Sequence, residues 1–144
     1  MRQVDNRFEL EAKARSLGPF RSKLRALLGA SGFDPKDTHD VLLSVDEVLT
    51  NVIRHAYGGE TAGPKRGKIY ISVSDSRDRV EIVIEDHGPC FDPRQVPAPQ
   101  LPSEKPGGLG IHLVRSLTDE MHYEALEPQG NRLRLVKYKK KKGI

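Results

Sequence analysis

The chain has 144 residues, of which 36% are hydrophobic and 31% are charged, and its formal net charge is +4. This length suits one domain with its own core, and no stretch approaches the roughly 20 apolar residues that a membrane span requires. The N-terminal segment lacks the apolar centre of a secretory signal, and Cys90, the single cysteine, can form neither an internal disulfide nor a metal site alone. We therefore expect a cytoplasmic protein that does not enter a membrane.

The positive charge is concentrated at the C-terminus. Residues 137–144 contain five lysines and no acidic residue, and without them the chain would carry 19 basic and 20 acidic residues. A basic tail binds nucleic acid in some proteins and more often keeps a chain in solution. We expect no direct binding of nucleic acid, and we divide the chain into one domain, residues 1–138, and a basic tail, residues 139–144.

The pattern of apolar residues predicts the elements in chain order, since alternation indicates strands and a spacing of three and four indicates helices. A strand at 7–12 and a helix at 17–28 come first. A long helix begins at Asp34-Pro35, an N-cap followed by proline at the first helical position, and ends at Gly58-Gly59. The remaining predicted elements are strands at 68–74 and 79–86, a helix at 107–117, and strands at 120–126 and 132–139.

Residues 89–106 contain six of the ten prolines, which excludes a helix or a central strand. A loop of this length is either a lid that closes on a substrate or a disordered connector. The order β-α-α-β-β-loop-α-β-β predicts an α/β two-layer sandwich, with a mixed, mostly antiparallel sheet and helices on one face. It argues against a doubly wound dinucleotide-binding fold.

The long helix carries Glu47, Asn51 and His55 at intervals of four residues. A carboxylate can act as a general base, and an amide oxygen is a suitable ligand for Mg²⁺. On a helical wheel Glu47 lies opposite the apolar face, Asn51 lies obliquely and His55 lies at the border. A solvated face has the same arrangement, and the helix considered alone favours that simpler interpretation.

Asp86 ends the second strand of a predicted hairpin, and Gly88 follows two residues later. A carboxylate at a strand end can accept a hydrogen bond from the exocyclic amine of adenine, although Asp and Gly are also ordinary turn residues.

Three glycines open the helix after the proline-rich loop. A helix N-terminus with open backbone N–H groups suits a phosphate, and a flexible loop end is the alternative. Lys105 immediately precedes this turn, where it could reach a terminal phosphate. The glycine-rich turn consists of Gly107, Gly108, Leu109 and Gly110.

The order of these motifs resembles the histidine-kinase-like ATPase superfamily, which includes gyrase, Hsp90, histidine kinases and MutL. The segments DEVLTNVIRHAY, DHGPCFDP and GGLGIHLVRSLTDEMHYE look like those of the small bacterial anti-sigma-factor serine kinases. The resemblance extends from the first strand to the last.

The resemblance implies ATP and Mg²⁺ as cofactors. In such a protein Asp86 would bind the adenine amino group, Gly88 would allow close packing against the base, and Asn51 would hold the metal ion. Glu47 would be the catalytic general base on the attacking hydroxyl group. The residues expected to bind the nucleotide are Asn51, His55, Asp86, Gly88, Lys105, Gly107, Gly108, Leu109 and Gly110.

The resemblance also implies partners. Such a kinase phosphorylates a serine of a small anti-anti-sigma protein of the STAS type, sequesters a sigma factor and commonly forms a homodimer. The alternative is a nucleotide-dependent switch that binds a partner without phosphorylating it.

Overall fold

The computed structural model describes residues 4–56, 67–93 and 108–140, and in them five antiparallel strands form one sheet with three helices packed against it. The strands lie in the order β1-β2-β3-β5-β4. Two short turns, a 3₁₀ turn at Ala14–Ser16 and a π-helical turn at Val52–Ala56, complete the set. The element bounds are β1 Val4–Glu11, α1 Leu17–Ala30, α2 Pro35–Asn51, β2 Lys68–Asp75, β3 Arg79–Asp86, α3 Gly108–Leu117, β4 Glu120–Ala125 and β5 Asn131–Tyr138.

The two faces of the sheet differ because successive side chains of each strand point to opposite faces. One face buries branched apolar side chains against the helices, such as Ile71 of β2 and Ile82 of β3. The other face carries charges that pair across strands, as Arg134 of β5 does with Glu81 of β3 at 3.0 Å. The predicted α/β sandwich is confirmed, and every strand pair in the described ranges is antiparallel.

Helix α2 lies between the other two helices and contacts both of them. The predicted N-cap is confirmed: the side chain of Asp34 accepts a hydrogen bond from the backbone N–H of Asp37 at 2.7 Å, and Pro35 opens the helix. Because α2 packs against the sheet and against two helices, its apolar face has to be broad.

The strand register decides which residues meet at each end of the sheet. In the β3–β5 pair Arg79 lies opposite Tyr138 and Asp86 lies opposite Asn131. The end of β3 and the start of β5 therefore lie together, beside the turn that joins β4 to β5.

The opposite end of the sheet holds the first lysines of the predicted basic tail. Lys139 Nζ lies 2.7 Å from both Asp75 Oδ1 and the carbonyl oxygen of Ser76, and Lys140 Nζ lies 3.4 Å from Asp34 Oδ2. These two lysines therefore contact the domain. The domain boundary at residue 138 stays a prediction. Within the described ranges, no helix combines the length and apolarity needed to cross a membrane.

Candidate functional site

One pocket lies where the C-terminal end of α2 and the start of α3 meet the end of β3 and the start of β5. It is an open cleft with about 450 Å³ of empty space, a volume that includes solvent at its mouth. Most of its wall is apolar, with a few polar side chains. Its lining consists of Val48, Asn51, Val52, Ile84, Asp86, Phe91, Pro93, Ile111, Tyr123, Asn131 and Leu133.

Asp86 is a buried hydrogen-bond acceptor in this pocket, with 2% of its surface exposed. Its Oδ1 atom accepts one bond from the backbone N–H of Gly88 and another from Asn131 Nδ2, both at 3.0 Å. Burial raises the pKa of the Asp86 carboxyl group above the ordinary 3.8, and the two hydrogen bonds oppose this shift. Asp86, at the end of β3, is thus one of the polar residues that line the pocket.

Asn51 is also buried, with 6% of its surface exposed, so the interpretation of this position as part of a solvated face is wrong. The helical wheel failed here because it contains only α2, whereas α3 and α1 cover two of its sides. In the described part of the chain, Nδ2 of Asn51 has no hydrogen-bond partner. A buried polar atom without a partner is unfavourable in the protein alone, so this amide retains capacity for a ligand.

Glu47 lies one helical turn before Asn51. It is partly exposed and is not among the lining residues given above, whereas its neighbour Val48 is. Glu47 thus adjoins two lining residues, Val48 and Asn51, along α2 and is partly accessible to solvent.

The α3 helix brings its N-terminus to the pocket, since Ile111 in its first turns is buried in the pocket wall. The helix begins at Gly108, one residue after the predicted start. The first N–H groups of an α-helix have no acceptor within the helix, which suits an anion.

Four of the predicted site residues cannot be placed in the pocket from the described structure. Lys105 and Gly107 lie outside the described residues, and His55 lies in the π-helical turn with only its backbone described. The same holds for the side chain of Leu109 in α3. Their roles stay predictions.

Asn131 and Tyr123 belong to the pocket and were missed by the sequence analysis, whose last predicted strand begins at residue 132. The Asn131 amide bonds Asp86, and the hydroxyl group of Tyr123 donates to Asn131 Oδ1 at 2.6 Å. A usable signal was present: Asn131 has the same parity as Leu133 and Leu135, so the alternation of β5 directs it toward the core.

Gly130 lets the turn between β4 and β5 lie close to the end of β3. Its φ of +133° is rarely adopted by residues with a side chain, and a Cβ atom here would lie 2.6 Å from the carbonyl oxygen of Asp86. Glycine is therefore required at the position immediately before Asn131.

Comparison with known proteins agrees with the fold. A family model described as the histidine kinase-like ATPase domain matches residues 10–137. The chain is 30% identical to the serine-protein kinase RsbW of Bacillus licheniformis over 121 residues, which cover 78% of this chain and 73% of that protein. It is 28% identical to RsbW of Bacillus subtilis over 124 residues, with 81% and 75% covered.

A solved structure shows the same fold. The crystal structure of the RsbU and RsbW domains of Rv1364c from Mycobacterium tuberculosis matches with a TM-score of 0.65 and 17% identity, over 93% of this chain and 31% of that one. The chain therefore belongs to the histidine kinase-like ATPase family, and within it to the serine-protein kinases similar to RsbW. The resemblance noted in the sequence is confirmed.

Proposed function

We propose that this protein transfers the terminal phosphoryl group of Mg²⁺-ATP to a serine of an anti-anti-sigma protein. The observation that carries the proposal is the meeting of Asp86 and Asn51, from two separate elements, in one pocket. A buried carboxylate oxygen suits the amine of a base, and the buried Asn51 Nδ2, which has no partner among the described residues, is a donor that suits a phosphate oxygen.

The apolar part of the pocket would hold the adenine ring. Ile84 and Leu133 come from adjacent strands of the sheet, and Phe91 closes the wall from the segment after β3. Asp86 would accept a hydrogen bond from the exocyclic amine, and Gly88, which is buried beside it, leaves room for the base. This arrangement rejects a base that presents a carbonyl oxygen at the same place, because two acceptors would then face each other.

The chain offers few protein ligands for a cation. Among the described residues, no group of three or more His, Cys, Asp or Glu side chains is placed to hold a metal ion. Asn51 would bind Mg²⁺ through its amide oxygen, with phosphate oxygens and water completing the shell, as is common for this ion. The bound Mg²⁺-ATP supplies the transferable phosphoryl group and neutralises its charge.

Glu47 would act as the general base. Its carboxylate would take the proton of the partner's serine hydroxyl group as the serine oxygen bonds to the terminal phosphorus, the bond from that phosphorus to the bridging oxygen breaks and ADP leaves. The N-terminal turn of α3 would hold the phosphates through its backbone N–H groups, and Lys105 would add a positive charge. These groups position the reactants and balance charge, which is most of what phosphoryl transfer requires.

We also propose that the chain sequesters a sigma factor and acts as a homodimer, as the resemblance to anti-sigma-factor kinases implies. Light scattering of the purified protein, with and without a candidate sigma factor, tests both points. Two chains per particle and a stable complex with one sigma factor are expected. A particle with one chain and no complex with any candidate would contradict this part.

Phosphoryl transfer tests the kinase proposal. We would incubate the wild-type protein, Glu47→Gln and Asp46→Asn with labelled ATP, Mg²⁺ and each anti-anti-sigma protein encoded in the same genome. Asp46 is a matched control because it adjoins Glu47 on α2 but pairs with Arg21 of α1. We expect Glu47→Gln to bind ATP normally and to transfer about 100-fold or more slowly, with Asp46→Asn close to wild type.

Two results would contradict the kinase proposal. Undiminished transfer by Glu47→Gln would exclude this residue as the base. Binding of ATP without transfer to any candidate would favour the alternative, a nucleotide-dependent switch.

A further inference from the structure

The side-chain amide of Asn131 uses its full hydrogen-bonding capacity. Its Nδ2 donates to Asp86 Oδ1 at 3.0 Å and to the carbonyl oxygen of Pro89 at 2.9 Å. Its Oδ1 accepts from the backbone N–H of Phe91 at 2.7 Å and from the hydroxyl group of Tyr123 at 2.6 Å. A side-chain amide has two N–H donors and one oxygen with two lone pairs, so all four positions are filled.

These four partners also fix the orientation of the amide. Two acceptors face its nitrogen and two donors face its oxygen, so reversing the amide would break its bonds to Asp86, Pro89 and Phe91. Asn131 is buried, with 8% of its surface exposed, and water is therefore a poor substitute for these partners.

The bond to Asp86 decides which carboxylate oxygen is available. Within the described residues, both donors that reach this carboxylate, Gly88 and Asn131, bond to Oδ1. The second oxygen, Oδ2, is left as the acceptor for a ligand. Without Asn131, the carboxylate would keep one donor and could rotate.

The same amide fixes part of the pocket wall. Phe91 lines the pocket and is held by its backbone bond to Asn131, and the carbonyl oxygen of Pro93 accepts a bond from Arg115 Nη2 of α3 at 2.6 Å. The start of the segment after β3 is therefore held by hydrogen bonds to β5 and to α3.

We propose that Asn131 is a positioning residue for nucleotide recognition: it holds Asp86 and Phe91 in one arrangement, so that Oδ2 faces the exocyclic amine of the bound base. The inference rests on the proposed binding of ATP. It gives β5 a role in base discrimination, in addition to the roles proposed for the motifs of α2, β3 and α3.

An isosteric substitution tests it. Asn131→Asp keeps the shape of the side chain, but an ionised carboxylate cannot donate to Asp86 or to Pro89 and adds a like charge beside Asp86. We would measure the affinity for ATP and for inosine triphosphate, which lacks the exocyclic amine, by calorimetry between pH 6 and pH 8. Gln129→Ala is the matched control, because Gln129 lies in the turn before β5 and its side-chain amide donates to the carbonyl oxygen of His87, outside the Asn131 network.

We expect wild type and Gln129→Ala to prefer ATP over inosine triphosphate by about 100-fold, the range for a lost bond to a charged group. In Asn131→Asp the preference should fall to below about 10-fold, with little change in the affinity for inosine triphosphate. Asn131→Asp should also acquire a pH dependence that wild type lacks. ATP binding to Asn131→Asp should strengthen as pH falls, because one proton shared between the two carboxylates restores a donor to Asp86.

Three results would overturn the inference. One is an unchanged preference and pH slope in Asn131→Asp, and another is an equal loss of affinity for both nucleotides, which would indicate a structural role alone. If the wild-type protein binds neither nucleotide, the proposed function fails and the inference fails with it. Should Asn131→Asp not fold, Tyr123→Phe removes a single bond to the amide, and a preference still at the wild-type value would equally contradict the inference.

Discussion

The two ends of the pocket differ in how far their polar groups are already paired. At the β3–β5 end, Asp86, Asn131 and Tyr123 bond one another and the adjoining backbone. At the α2 end, Asn51 is buried and its Nδ2 has no partner among the described residues. The first end is preorganised by the protein itself, whereas the second keeps a buried donor that no other described residue accepts from.

This difference fits the two tasks of an ATP site. A base is recognised by shape and by one or two hydrogen bonds, so a rigid acceptor in an apolar wall is effective. A triphosphate with its cation carries several charges and changes during the reaction, so free capacity near a helix N-terminus is more useful. The following predictions test this comparison, beginning with the largest expected effect.

Asp86→Asn should break recognition at the paired end. The amide would present a donor or a misaligned acceptor to the base amine, and the affinity for ATP should fall by at least about 100-fold, or about 3 kcal/mol. Calorimetric titration measures the change. Asp75→Asn is the control, since Asp75 pairs with Lys139 at the far end of the sheet, and its affinity should equal wild type. Similar affinities for the two variants would refute the assignment of the base to Asp86.

Gly130→Ala should strain the paired end through the backbone. The added Cβ atom would lie 2.6 Å from the carbonyl oxygen of Asp86, at a φ that is unfavourable for alanine. We expect a loss of about 2 kcal/mol in the free energy of unfolding, measured with urea.

Gly29→Ala is the matched control for this substitution. No atom lies within 4 Å of its Cβ position in α1, and it should be neutral or slightly stabilising. Equal stability of the two glycine variants would contradict the close approach at Gly130.

Asn51→Leu should stabilise the protein without ligand, whereas Asn131→Leu should destabilise it. Replacing a buried amide whose nitrogen is unpaired removes an unfavourable desolvation, with an expected gain of about 1 kcal/mol. Replacing an amide with four bonds leaves several partners unpaired and should cost about 2 kcal/mol. Thermal unfolding of both variants provides the comparison, and shifts of the same sign would show that the two ends do not differ as described.

Asp86 should also contribute to the pH dependence of stability, and this effect should be smaller than those of the substitutions above. Because burial raises its pKa above 3.8, the native state keeps this proton to higher pH than the unfolded state does. The native state therefore binds more protons in the window above pH 3.8, and stability falls as pH rises through that window.

Asp86→Asn removes this contribution, although His87 and Tyr123 nearby remain. The difference in unfolding free energy between wild type and variant should change between pH 4 and pH 7. A constant difference would contradict the raised pKa.

Local structural features could be predicted from the sequence. The Asp34-Pro35 start of α2 and the alternation of β2 and β3 depend on residues close in the chain, and the structure confirms them. The hydrogen bond from Asn131 to Asp86 joins residues that are 45 apart in the chain. It depends on the order of the strands in the sheet, which the alternation of apolar residues does not specify. The burial of Asn51 depends on α3, a helix that a wheel of α2 cannot include.

The most direct test of the account is the affinity for ATP with and without Mg²⁺, measured by calorimetry on wild type, Asn51→Leu and Asp86→Asn. We predict that Mg²⁺ strengthens binding to wild type and that Asn51→Leu loses this gain while its Mg²⁺-free affinity stays within about 3-fold. Asp86→Asn should lose binding under both conditions. A full Mg²⁺ gain in Asn51→Leu, or intact binding in Asp86→Asn, would contradict the division of this pocket into a base end and a phosphate end.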